Sequence, residues 1–208
     1  MNRPHISIEI PEQFPEEFDE FILTDLVHEK LNLDFRRSGP KMYAALEWVI
    51  PGLIATYILK PYFEAFLKEA GKDHYQILKK KMSTLLSTAK QMNVKKVAAS
   101  KSTEKLDSSN SQSGAISIFI ETKSGHLIKL LYDNNLDLET WQKSTNQFLD
   151  LMESHYENGN GDPISKYLMQ VSKEKSGREI FAIIDPETKD WMLIHNISQY
   201  IKDKKNRK

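Results

Sequence analysis

Residues 43–59 read Tyr-Ala-Ala-Leu-Glu-Trp-Val-Ile-Pro-Gly-Leu-Ile-Ala-Thr-Tyr-Ile-Leu, the longest apolar run in the chain. How this stretch folds decides the architecture. Read as a helix, its uninterrupted part, Trp48 to Leu59, spans about 18 Å, well short of the roughly 30 Å hydrocarbon core of a bilayer. Starting from Met42 lengthens the span but places Glu47 inside it. Pro51 would kink such a helix or begin a new one. The expectation is an apolar helix over about 43–59 that anchors to a membrane, drives self-assembly or packs in a core. Trp48, Ile50, Leu53, Ile54, Tyr57, Ile58, Tyr62 and Phe63 are its candidate membrane or interface residues.

On the N-terminal side, Ile6, Ile8 and Ile10 alternate with polar residues, the period of a half-buried strand. Pro11 and Pro15 end it, and Glu16–Leu33 reads as an amphipathic helix through Phe18, Ile22 and Leu26. Arg36 to Pro40 reads as a loop. On the C-terminal side, Pro61 suits a first helical turn. Apolar residues from Phe63 to Leu86 then recur every three or four positions. This predicts one amphipathic helix to about Met92, or two joined near Gly71.

Residues 95–114 contain six serines between Ser100 and Ser113 and almost no large apolar side chain. Such a segment buries too little to offset the entropy of ordering it, and it reads as a flexible linker. Beyond it, Ala115–Glu121 and His126–Tyr132 read as strands joined by a turn containing Gly125. Leu138, Trp141, Thr145, Phe148, Met152 and Tyr156 share a helix face. Asp162-Pro163 opens a shorter helix, with Ile164, Tyr167, Leu168 and Val171 on one side. Glu179–Ile184 and Trp191–His195 flank a polar turn, and Asn196 with Gln199 forms a capping-box pattern.

The expected fold class is therefore α+β. A mainly helical N-terminal part (1–94), with one short strand and the apolar helix, is tethered by 95–114 to a C-terminal part (115–208). The latter reads as an antiparallel sheet of two ββα-like units.

Composition narrows the function. The 208 residues carry 29 basic and 29 acidic side chains, so no net charge draws the chain to nucleic acid, which is not an expected partner. Charge is unevenly spread: residues 1–34 hold nine carboxylates, and residues 71–107 hold nine lysines. With no cysteine, thiolate catalysis and Cys-based zinc sites are excluded. That absence and the polar start of the chain, which has no signal-peptide core, lead to the expectation of a cytoplasmic protein, with the inner face of a membrane as the alternative location.

No histidine pair has metal-ligand spacing, no Gly-rich loop is followed by Lys-Ser/Thr, and no Gly-x-Ser-x-Gly is present. No metal or cofactor is expected. The reading is a non-enzymatic interaction protein: the C-terminal module binds a protein partner, and the apolar helix supplies self-association or contact with membrane lipid. The competing reading is a metal-dependent nuclease. Glu121 and Lys123 end a predicted strand in Glu-x-Lys spacing, with Asp107 upstream, and these would hold Mg²⁺ and position a water. The same tripeptide recurs at Glu187-Thr188-Lys189 in a turn that asks only for polar residues, which favours a structural role.

The serine density makes residues 100–113 the expected first site of proteolysis. Limited trypsin digestion followed by mass spectrometry should show early cuts there. First cuts within 116–156 would show that the segment is protected.

Overall fold

A computed structural model of the chain describes residues 3–39, 52–92, 94, 111–158, 161–171, 179–195 and 200. The described residues form a mixed α+β fold around one seven-stranded sheet. Its strands are β1 (Ile6–Pro11), β2 (Leu33–Ser38), β3 (Ile54–Ile58), β4 (Ile116–Glu121), β5 (Leu127–Leu131), β6 (Glu179–Ile184) and β7 (Trp191–Ile194). They lie in the order β2-β1-β3-β4-β5-β6-β7. Pairing alternates across the sheet. β1–β2, β3–β4 and β5–β6 are parallel, whereas β1–β3, β4–β5 and β6–β7 are antiparallel.

Each parallel pair needs a crossover, and helices supply it. α1 (Glu17–Leu23) links β1 to β2. A π-helical turn (Tyr62–Phe66) running into α2 (Leu67–Gln91) follows β3 on the way to β4. α3 (Leu138–Glu157) and α4 (Pro163–Val171) link β5 to β6. All four helices pack on one face of the sheet. Their side chains share a single cluster with Ile6, Ile8 and Ile10 of β1, Ile54 and Ile58 of β3, Ile116, Ile118 and Ile120 of β4, and the inward residues of β5 and β6. The opposite face carries a smaller cluster of Leu131, Phe181, Ile183 and Ile194, against which Tyr200 packs.

The apolar stretch departs from expectation. Its second half is not helical: Ile54–Ile58 is β3, hydrogen-bonded to β1 on one side and β4 on the other. Ile54 and Ile58 are fully buried, and Tyr57 stacks on Phe119 of β4 at 4.5 Å. Both faces of this strand are covered, so the alternation that marks a half-exposed strand is absent from its sequence, and a continuous apolar run results. The chain enters β3 through Gly52, where a Cβ would lie 2.6 Å from the Ile116 carbonyl carbon, so only glycine admits this approach. Tyr62 and Phe63 are buried in the core, while Leu53 is exposed. Trp48 and Ile50 lie outside the described residues, as does all of 40–51. Among the described residues no helix is long and apolar enough to cross a membrane.

Three further expectations change. The helix expected over 16–33 stops at Leu23: the Thr24 hydroxyl donates to the Glu20 carbonyl at 2.6 Å, and Asp25 turns to φ 64°. A short carboxamide or carboxylate side chain tolerates that left-handed conformation better than most, and it ends the helix. The expected loop at Arg36 becomes part of β2. Arg37 explains how: its guanidinium donates to both carboxylate oxygens of Asp19 and to the carbonyls of Glu12, Phe14 and Pro15. All five donors are used, and β2 is tied to the segment entering α1.

The C-terminal strands form the two expected hairpins, but β5 and β6 are parallel, so the sheet is mixed rather than antiparallel. Nor is there a separate C-terminal sheet. β3 and β4, from opposite sides of residues 95–114, are hydrogen-bonded neighbours. Within that stretch Gln112 forms a bridge with Asp133, and residues 95–110 are outside the described set.

The helices otherwise follow their sequence signals. α2 breaks at Gly71 (φ 75°, ψ −175°). The Asp137 carboxylate caps α3 by accepting from the Thr140 amide at 2.6 Å. Trp141, Thr145, Phe148, Met152 and Tyr156 all face inward as expected.

One polar atom is out of place in the inner layer. The Thr56 hydroxyl lies on β3 between Ile8 and Ile118, fully buried and without a hydrogen-bond partner among the described residues. Thr56→Val keeps the shape and removes the unsatisfied oxygen. Urea denaturation should show the variant more stable by about 1 kcal/mol.

Candidate functional site

Of the residues singled out for chemistry, Glu121 and Lys123 lie at the end of the sheet where β4 finishes, α2 begins and α3 ends. Glu121 is the last residue of β4 and is 4% exposed, not the solvated turn residue expected. One carboxylate oxygen accepts from the Lys60 amide at 2.9 Å, and the other faces the Arg3 guanidinium at 2.9 Å. The Lys60 amide opens the helical run that becomes α2, so Glu121 acts as a cap supplied from a neighbouring strand.

Lys123 turns elsewhere. Its ammonium donates to the Asn158 carbonyl at 2.9 Å, and its amide donates to His155 Nε2 at 3.3 Å. The fold thus brings Glu121 and Lys123 close in chain but gives them separate partners. Asp107, the third member of the nuclease constellation, lies outside the described residues. Among the described residues no group of three or more His, Asp or Glu is arranged to hold a metal ion.

A serine, a histidine and an aspartate converge beside Lys123. His155 Nδ1 donates to Asp162 Oδ1 at 3.0 Å, and the Ser165 hydroxyl donates to Asp162 Oδ2 at 2.5 Å. The Ser165 amide also donates to Asp162 Oδ1 at 3.0 Å, which makes Asp162 the cap of α4 with Pro163 at its first position. This is not the arrangement of an acyl-transfer triad. There the serine hydroxyl meets the imidazole nitrogen opposite the aspartate. Here serine and aspartate lie on the same nitrogen side, and the far nitrogen is occupied by a backbone amide. The cluster is a latch joining α3, α4 and the β4–β5 turn. Burial pushes the Asp162 carboxyl up, but hydrogen bonds from the Ser165 hydroxyl and amide and from His155 outweigh it and hold the group at about 2. The capping pattern Asp162-Pro163 was legible in sequence; the pairing with His155 had no signal in spacing.

A second set of imidazoles surrounds Phe66. His74, buried, donates from Nε2 to the Leu26 carbonyl at 3.0 Å and accepts at Nδ1 from the Tyr62 hydroxyl at 3.3 Å. Its burial lowers its affinity for a second proton. His5 and His28 accept at Nδ1 from the Asn32 and Lys30 amides, at 2.9 and 3.2 Å. Each of these rings pins a loop through one nitrogen bonded to the backbone.

Beside the Glu121 corner lies a groove of about 150 Å³ between the start of α2 and the end of α3. Phe63 and Tyr156 are among the residues that line it, their rings stacked at 4.7 Å with planes 9° apart. Tyr156 is held by its hydroxyl, which donates to the Glu121 carbonyl at 2.7 Å. Leu67, Lys68, Gly71 and Lys72 line the α2 bank; Glu153 and Glu157 line the other. Burial raises the Glu153 carboxyl above the usual carboxylate range, helped by the negative charges of Glu157 and Asp150, and Lys72 and Lys79 offset part of this. The sequence signalled Phe63, Tyr156 and the break at Gly71, but Glu153 only as a polar position on α3.

The Asp162 latch makes a signed prediction. A folded value of about 2 against an ordinary 3.8 means the carboxylate stabilises the fold above about pH 4 and loses that contribution as pH falls toward 2. The contribution is about 2 kcal/mol. Urea melts at stepped pH should show wild type losing more stability between pH 4 and pH 2 than Asp162→Asn, which has no charge to neutralise. Parallel pH curves would show that the latch does not hold the proton off.

No family model matches the chain, and comparison with curated proteins and with solved structures gives no match.

Proposed function

We propose that the chain is a non-enzymatic interaction protein that binds a protein partner, or a second copy of itself, through the surface around α1. The observation that carries this reading is the exposure of Phe21 (43%) and Val27 (64%) there. Phe14, Phe18 and Phe21 form a continuous aromatic row: the first two meet edge-on at 5.0 Å and the second two stack at 5.8 Å. Phe14 and Phe18 are half-buried against the core and hold the exposed Phe21 ring in place, and rigid aromatic rings of this kind are common at protein-binding surfaces. Glu17, Glu20, Asp25 and Glu29 are exposed in the same segment, while Lys81 of α2 stands over the Phe21 ring at 5.7 Å. The matching partner presents an apolar patch rimmed by Lys or Arg, while anionic lipid and nucleic acid are disfavoured.

The reading also rests on what the candidate chemistry is doing. Glu121, Lys123, His155, Asp162 and Ser165 all spend their polar atoms on hydrogen bonds that hold elements together. The interaction role assigned to Ile54, Ile58, Tyr62 and Phe63 moves elsewhere, because these four face the protein's own core. The absence of cysteine suits a reducing compartment, and we place the protein in the cytoplasm.

Phe21→Ser with Val27→Ser tests the surface. Both positions are exposed, so the melting temperature should move by no more than about 2 °C. Sedimentation equilibrium, or retention of a co-purified partner, should show affinity falling roughly tenfold or more. Association unchanged in the double variant would overturn the reading. So would Mg²⁺-dependent cleavage of DNA or RNA by wild type that Glu121→Gln abolishes without changing the melting temperature.

A further inference from the structure

We propose that the groove beside Gly71 is a binding site for a small α-amino acid with an apolar side chain. This stands independently of the α1 surface, which lies against a later stretch of α2 through Lys81 and Phe21.

Three features of the groove define its occupant. The first is size. A cavity of about 150 Å³ is far below the roughly 300–1,000 Å³ of sites for drug-sized ligands. An apolar cavity of about that volume accommodates a single benzene ring. The second is the apolar lining. Phe63 and Tyr156 present a stacked aromatic pair flanked by Leu67, a surface suited to one aliphatic or aromatic group. Tyr156 cannot swing away, because its hydroxyl is tied to the Glu121 carbonyl.

The third feature is charge. Lys68 and Lys72 line one bank, and Glu153 and Glu157 line the other. Among the described residues none of the four forms an ion pair. The contrast with their neighbours is informative: Asp150, one turn before Glu153, is already paired with Lys79. A ligand carrying only an ammonium would satisfy the glutamates but face the lysines. One carrying only a carboxylate would do the reverse. A zwitterion satisfies both banks, with its ammonium toward Glu153 and Glu157, its carboxylate toward Lys68 and Lys72, and its side chain on the aromatic pair. The Glu153 carboxyl is raised chiefly by its burial and then by the negative charges of Glu157 and Asp150, and an ammonium beside it would relieve that repulsion.

The backbone keeps the groove open. The π-helical turn Tyr62–Phe66 immediately precedes it, a feature that recurs at functional sites because it displaces backbone from the regular ladder. Gly71 sits at φ 75° with nothing within 4 Å of where a Cβ would be. A side chain there would be strained and would project into unfilled space at the groove.

Calorimetric titration of the full chain tests this, with L-phenylalanine and L-leucine as probes. 2-Phenylethylamine lacks the carboxylate, 3-phenylpropanoate lacks the ammonium, and glycine lacks the side chain. One of the two amino acids should bind at a single site with Kd of about 0.1–1 mM. The three truncated probes should each bind roughly tenfold more weakly or worse. Glu153→Gln and Lys72→Gln, both surface changes, should each weaken binding by about tenfold while the melting temperature is unchanged. Equal affinity for L-phenylalanine and 2-phenylethylamine would overturn the zwitterion assignment. So would the absence of saturable heat from either amino acid up to about 10 mM. Binding that persists unchanged in both groove variants would place the site elsewhere. None of these outcomes bears on association through Phe21 and Val27, which is read by a different variant.

Discussion

β3 runs parallel to β4, and a parallel pair can be closed only by a crossover that leaves the sheet and returns. That single constraint organises the rest. The crossover leaves β3 at Leu59 and turns at Pro61 into the π-helical start of α2. It therefore passes the end of β4, where Glu121 accepts the Lys60 amide. The same passage lays Phe63 against Tyr156 of α3, so groove and cap are both consequences of one strand pairing. The pairing also makes the chain one sheet, because β3 and β4 come from the two sides of residues 95–110.

Within this frame, polar groups divide by whether the fold has consumed them. Arg37 spends all five donors on Asp19 and three carbonyls. Glu121, His155, Asp162 and Ser165 are likewise saturated, as buried polar groups must be if they are not to destabilise the fold. A carboxylate with both oxygens engaged by a guanidinium and an amide has little capacity left for a metal or a proton in transit. Lys68, Lys72, Glu153 and Glu157 stand instead on the groove banks, and among the described residues none of them forms an ion pair.

The sequence by itself determined the local elements whose signals are local. The alternation of Ile6, Ile8 and Ile10, the turn before His126, the helix start at Asp162, the inward face of α3 and the break at Gly71 all follow from neighbouring residues. Each rests on a contact within a few positions, so periodicity and capping chemistry report it directly.

Tertiary structure alone decided the rest. Whether residues 54–58 form helix or strand depended on β1 and β4, whose paired residues lie 46 to 62 positions away in the chain, and on burial of both faces of the strand, which erases the alternation that would identify it. Parallel pairing of β5 with β6 depended on a crossover of two helices rather than on either strand. The roles of Glu121 and Lys123 reversed from solvated turn to buried cap and strut because Arg3, Lys60, His155 and Asn158 arrive from distant segments. Side-chain type and spacing state what a residue is able to do. Which of its lone pairs and protons remain available is set by neighbours that only the folded chain brings together.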